Sequence, residues 1–461
     1  MGGIYGGLTK MGVFLRGLSC ERVKGGIWKQ YQHLSSTSLV DKGFHSVYGT
    51  SMNRREIKRT GMVVLAGFCL LGWGLASCAS KNKVETIRRE NLFRLDLGKL
   101  ENQIDLVNME GDGRPLKTSL VMRDGQFYIS DNRGNKVVRY TSYGDLLSMI
   151  YNPDTNPPPL TLQKQDEEHQ LVTRRAIPYP LISNGYLTVD SRRHIYVEDK
   201  LPVERQVYDQ NNNVLLDSTV LHFDGDGNFV EYLGQEGIGG SPFPYITGIY
   251  TSVDDDVAVV CRLQKGWNVY WFDKEGQSRY IILIRSQDIP IPKGIEGFPV
   301  IDSLVVSPDS RQMYLKVDYY ADLFDETTKM KTGIQIVGSY LWIMNVETGN
   351  YEKNMVIPFF EQTRVENDKK ETLSLLYSLL GVAHGHKVFF VIPVEEGYRL
   401  LVIDVESKTQ KQSFIQVSRD ELIYNALSLS PEGILSALLA TEYEVKIVWW
   451  RTDSLTGVVY K

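Results

Sequence analysis

The chain has 461 residues, 42% apolar and 23% charged, enough for one large repeat fold or two to three average domains, and apolar enough to bury a core. Its net charge of −5 divides unevenly: residues 1–77 carry +7, leaving −12 for the remainder. An acidic body argues against a nucleic-acid partner, which needs clustered cations on phosphate. The 26 tyrosines favour β structure, where flat side chains pack on pleated surfaces.

Residues 1–51 are rich in Gly and Ser and show no sustained period. We expect translation to start at Met52, with 1–51 a non-native extension from a misplaced start. In 52–77, Arg54, Arg55, Lys58 and Arg59 precede an uncharged, mostly apolar run over 61–74. The uncharged stretch as a whole, 61–77, has 17 residues, falls short of the roughly 20 needed to span a bilayer and ends in small residues, the pattern of a signal peptide. It closes on Leu75, Ala76, Ser77 and Cys78.

These four residues resemble the lipobox of bacterial lipoproteins. The resemblance implies cleavage between Ser77 and Cys78, a diacylglycerol thioether on Cys78 and an acylated new N-terminus. Several acyl chains on one residue anchor stably, at about 0.8 kcal/mol per buried CH₂. The membrane lipid is then one partner, and the cell envelope the location, at either the periplasmic face or the cell surface. Residues 78–90 read as a polar tether. Of Cys20, Cys69, Cys78 and Cys261, only the last two survive cleavage. Acylation of Cys78 leaves Cys261 unpaired, and its apolar run 257–261 marks it as a buried small hydrophobe.

The remainder, 91–461, offers short apolar runs broken by Gly, Asp and Asn turns and almost no helical period. The clearest unit is 126–147, read as strand, tight turn, strand, tight turn, strand. Its strand at 127–130, Asp131 and Asn135 at the first turn, strand at 136–140 and Gly144 in the second turn resemble the NHL repeat of β-propellers. Asp and Asn bond within their own turns, and Gly accepts positive φ. Echoes of the second turn follow at 223–227, 272–276, 344–349, 403–408 and 450–457, each expected to join the third and fourth strands of a blade. A first-turn pattern recurs at 304–315 and 427–435 around Ser-Pro-Asp/Glu, and fits 187–197 and 249–260.

Six second-turn signals, about 63 residues apart, predict an all-β propeller of six blades. A β-sandwich is the alternative. The segment 91–107 is expected to supply a strand to the last blade, removing an exposed sheet edge. Insertions at 151–180, 205–214, 322–338 and 361–371 are candidates for binding.

Recognisable chemistry is sparse. Asp224, Asp226 and Asn228 begin like a calcium loop, but Phe229 and Gln235 stand where such a loop needs Gly and Glu, so a hairpin turn is expected. Asp254, Asp255 and Asp256 read as a solvated acidic turn. His384 and His386 flank Gly385; in a strand they would share a face and could hold one metal, but Gly385 favours a turn. No nucleophile elbow, phosphate loop or zinc helix motif is present. No catalytic residue, metal ligand or cofactor is nominated. The expected function is a membrane-anchored module binding a protein or glycan; the alternative is an envelope hydrolase or lyase with a metal in the propeller channel.

Overall fold

A computed structural model describes residues 84–106, 116–164, 174–234, 240–366 and 369–457. The signal segment, Ser77 and Cys78 lie outside the described residues, as does the stretch 1–51.

Strand pairing follows one scheme six times, each blade an antiparallel sheet of four strands. Blade one is Ser119–Arg123, Gln126–Asp131, Lys136–Thr141 and Leu146–Tyr151. Blade two is Leu187–Val189, Ile195–Lys200, Ser218–Phe223 and Phe229–Tyr232. Blade three runs from Ile246–Thr251 to Ser278–Ile284, and blade four from Phe298–Val306 to Tyr351–Val356. Blade five runs from Ser378–Ala383 to Thr409–Gln416. Blade six takes three strands from the C-terminal part, Tyr424–Leu429, Leu435–Ala440 and Glu444–Trp450, and its fourth, Arg89–Leu97, from the N-terminal part. The chain is a six-bladed β-propeller.

Closure therefore comes from the segment the sequence nominated, with one change of boundary. Sheet pairing begins at Glu85, inside the stretch read as tether: Glu85–Ile87 adds a parallel strand to the outside of blade five before the chain crosses to blade six. The turn at 450–457 also differs from its five relatives. It leads to a short helix, Asp453–Thr456, because the fourth strand of that blade has already come from the other end of the chain.

Six apolar clusters fill the six seams between neighbouring blades. In Gln126–Asp131, Phe127 and Ile129 pack toward blade six while Tyr128 packs toward blade two. Both faces of this second strand are thus buried, which is why such strands read as unbroken apolar runs. Phe93 of the closing strand packs on Phe127 and Tyr140, with ring centroids 5.8 and 5.4 Å apart. Gly144 has φ +88°, and a Cβ there would lie 2.7 Å from the Cβ of Phe93, so this turn needs glycine both for its backbone and for closure. Lys136 is fully buried, donates to the carbonyls of Lys99 and Leu100, and ties the end of the closing strand to blade one.

The turn chemistry is equally repetitive. Asp224, Asp273, Asn345 and Asp404 each accept backbone N–H bonds on Oδ1 from residues two positions on and from one further residue of the same turn, at 2.8–3.1 Å. Thr141 does the same through its hydroxyl. The calcium-like segment at 224–228 is accordingly a hairpin turn whose carboxylate is used internally, since Asn228 also donates to Asp224 Oδ2.

Candidate functional site

The inner strands begin on one face of the ring, here the upper face, and end on the lower face. In every blade the turn between the first and second strands lies below, as does the turn between third and fourth; the turn between second and third, and the link to the next blade, lie above. The four long insertions all fall in the upper set. Residues 152–164 and 174–186 belong to one link between blades, and the hairpin Phe360–Glu366 with Lys369–Leu375 to another; the hairpin Val207–Asp209 with Val214–Leu216 sits between second and third strands. In blade four the second and third strands, Gln312–Phe324 and Lys331–Asn345, run on past the sheet as a ribbon.

Apart from Phe229, Val230, Ile281 and Leu283 on outer strands, the exposed apolar side chains follow the same division. Val203 (78% exposed), Tyr208, Phe324, Met330 (66%) and Tyr443 (84%) all belong to the upper face. Among the described residues, Tyr143 alone of the large exposed apolar side chains stands in a lower turn. Insertions on a rigid ring can grow without disturbing the blades, and apolar groups left in water on them lower the cost of covering that face with a partner.

A channel of about 410 Å³ follows the axis. Its wall is made by the inner strands and carries apolar groups and hydroxyls, among them Thr118, Thr188, Tyr250 and Ser428; its charged side chains are Lys117 above and Arg123 below. Lys117 donates to Glu198 Oε1 (2.6 Å) and to the carbonyl of Ile246 (3.0 Å), and its ammonium lies 4.2 Å from the ring centre of Tyr245. Glu198 is buried in blade two and also accepts from the backbone N–H of Tyr186. This ion pair joins blades one, two and three across the upper mouth. Burial and the nearby Tyr245 and Glu198 push the Tyr186 hydroxyl up to about 12, so it stays protonated. Among the described residues the channel wall brings no carboxylate or imidazole together, so it holds no acid–base pair and no ligand set for a metal.

The lower face is a ring of turns clasped to one another. Asp255 of blade three accepts from the backbone N–H and hydroxyl of Ser191 in blade two, at 2.9 and 2.7 Å. Asp256 accepts from Arg311 Nε of blade four and from Trp271 Nε1 of its own blade, both at 2.9 Å. Asp309 of blade four holds His384 Nδ1 and the backbone N–H of Gly385 in blade five. His384 N–H in turn donates to the carbonyl of Pro431 in blade six.

One sequence expectation changes here, and the turn expected at Gly385 is found. The acidic run at 254–256 is not simply solvated: Asp254 is exposed, but Asp256 is buried and Asp255 is committed to the neighbouring blade. The two histidines of 384–386 occupy the first turn of blade five, a turn the repeat pattern had not shown. His384 faces Asp309, while His386, at φ +56°, meets the Tyr314 hydroxyl at 2.6 Å, so the turn sends the two rings to different partners. Cys261 is fully buried, and burial pushes its thiol well above the usual range, in keeping with a small core residue.

No protein-family model matches the chain, and no curated protein matches it. Solved structures that resemble it include one described as a streptogramin B lyase, 12% identical, covering 78% of this chain and 97% of that one, with a TM-score of 0.32. The Dos1 propeller is 9% identical, covers 79% and 95%, and has a TM-score of 0.34. A glucose dehydrogenase is 11% identical, covers 78% and 98%, and has a TM-score of 0.36. These likenesses carry no activity over to this chain.

Proposed function

We propose that this chain is a bacterial envelope lipoprotein, cleaved between Ser77 and Cys78 and acylated on Cys78, whose propeller binds a protein or glycan partner through its upper face. The observation that carries the binding role is the placing of the long insertions, with the exposed apolar side chains of their loops, on that one face. The channel supports the same reading, since its wall offers hydroxyls and apolar groups in place of converging carboxylates and imidazoles. The anchor rests on the sequence of 52–78. Cys78 stands only seven positions before the first strand residue, Glu85, so the chain between them spans at most about 25 Å and would hold blade five close to the bilayer.

Two measurements test the two halves. Cys78→Ala should move the protein from the detergent phase to the aqueous phase of a cloud-point extraction; unchanged partition would overturn the anchor. Photo-crosslinking residues placed at Val203 and Met330 should capture the same envelope component in cells, while one at Tyr143 should not. Equal capture from Tyr143, or none from the other two, would overturn the upper face as the binding surface.

A further inference from the structure

On the lower face, the seam between blades one and two opens into a cleft of about 660 Å³, and four arginines line it. That volume lies within the range of small-ligand sites. The strand Arg175–Pro178 pairs parallel with the outermost strand of blade one, and Arg139, Ser148 and Arg175 stand in register across three neighbouring strands, hence on the same face of the sheet. Strand spacing puts the two arginine backbones roughly 10 Å apart. Arg192 and Arg193 face them from the first turn of blade two. The second turn of that blade abuts the first: a Cβ on Gly225 would lie 3.1 Å from the carbonyl oxygen of Arg192, so glycine lets the two turns close on each other.

The acids nearby satisfy this charge unevenly. Asp190 is buried beneath Arg192 and takes its Nε and Nη2 at 3.0 and 2.7 Å. Asp224 is consumed within its own turn. Asp226 meets Arg175 at 3.2 Å from an exposed position. Arg139 has neutral acceptors only, Gln126 Oε1 at 2.7 Å and the Gly225 carbonyl at 3.0 Å. Arg193 makes no side-chain hydrogen bond among the described residues; its one ion pair, to Asp124 at 3.9 Å, is long and about half exposed on each side. Arg193 also stands at φ +68°, a left-handed backbone that disfavours a side chain. Like charges sharing one sheet face cost stability, and a strained backbone persists where surrounding structure or function holds it.

We propose that this cleft binds a ligand bearing a multiply charged oxyanion, a phosphate or pyrophosphate group, with Arg139 and Arg193 as its principal donors and Ser148 and His194 beside them. Guanidinium forks match such oxygens two at a time, which a singly charged or neutral ligand could not exploit. The site is separate from the upper face and does not depend on its binding role. Among the described residues Arg139 has no carboxylate in contact and Arg193 has only the long, half-exposed pair with Asp124, so a dianion would supply charge the fold leaves largely out.

The test uses the full chain in detergent micelles, titrated with pyrophosphate by calorimetry at low salt. One ion should bind per chain, weakening steeply as salt is raised. Arg139→Met keeps an unbranched apolar stem and removes the guanidinium, whose carbon lies 5.6 Å from the Tyr128 ring centre; Arg193→Gly suits the positive φ and so keeps the fold, which an unchanged or raised melting temperature would show. Each should weaken binding at least tenfold. Vesicles of phosphatidylcholine with 20% phosphatidylglycerol separate two sources of the same chemistry: preferential binding to them, lost in both variants, assigns the phosphate to a lipid headgroup. Absence of binding to either probe, or binding unchanged in both variants, overturns the proposal.

Discussion

Asp256 is the most telling single residue in the lower ring. Replacement by Ala removes the acceptor of a fully buried indole N–H and one partner of Arg311. Trp271 is completely buried, so its Nε1 hydrogen would be stranded, at a cost of about 1–3 kcal/mol. Arg311 is about a quarter exposed and keeps Glu347 at 3.3 Å and Asp254 at 3.6 Å, so its loss is smaller, about 0.5–1 kcal/mol. Together these give about 1.5–4 kcal/mol, a large share of the margin by which a domain is stable. Asp256→Asn keeps an acceptor for Trp271 and loses only the charge, so about 1 kcal/mol is expected. Urea unfolding followed by tryptophan fluorescence measures both. An Asp256→Ala variant within 0.5 kcal/mol of the parent, or an Asn variant as costly as the Ala one, refutes the reasoning. A cycle with Arg311→Ala then isolates the contact between blades three and four.

Other outcomes follow from the same geometry. Phe93→Ala empties the seam between blades six and one, where the closing strand packs, and should cost about 3–5 kcal/mol in the same assay; a loss under about 1 kcal/mol would show that the ring closes by other means. Cys261 should stay unlabelled by a thiol reagent in the native protein and react once urea unfolds it; rapid native labelling contradicts its burial. His222 stacks on Tyr196 and faces His194 at 2.9 Å and Glu231 at 3.4 Å. Burial, with His194 and Arg192 nearby, brings its imidazole down to about 4, so the folded protein keeps it neutral. The unfolded chain protonates it below about 6.5, so its contribution is present above that pH and is lost as the pH falls toward 4, by about 1–2 kcal/mol after solvent screening. A melting temperature that falls as steeply over that window in His222→Gln removes this residue as the cause.

Much of the architecture was legible because a propeller repeats local chemistry. Each blade needs a side chain that bonds its own turn, and Asp224, Asp273, Asn345 and Asp404 announce this within five residues. Second strands buried on both faces show as unbroken apolar runs such as 257–261. The arginine cleft was harder to see. Its turn, Ser191-Arg-Arg-His194, was visible as a hairpin, and the two adjacent cations at its tip were the only local signal. Arg139 and Arg175 lie 36 positions apart and meet through strand register. Lys117 and Glu198 likewise come from different blades, so no spacing relates them.

The sequence by itself determined the repeat, the turns that punctuate it and the strand reserved for closure, since each is written in neighbouring residues. Only the tertiary structure decided which side chains face one another. It gathered four distant insertions on one face, sent His384 and His386 apart, and turned an acidic run into clasps between blades. The physical reason is that a seam is built from two sheets whose partners are tens of residues apart, and their meeting depends on packing and register that no local pattern records.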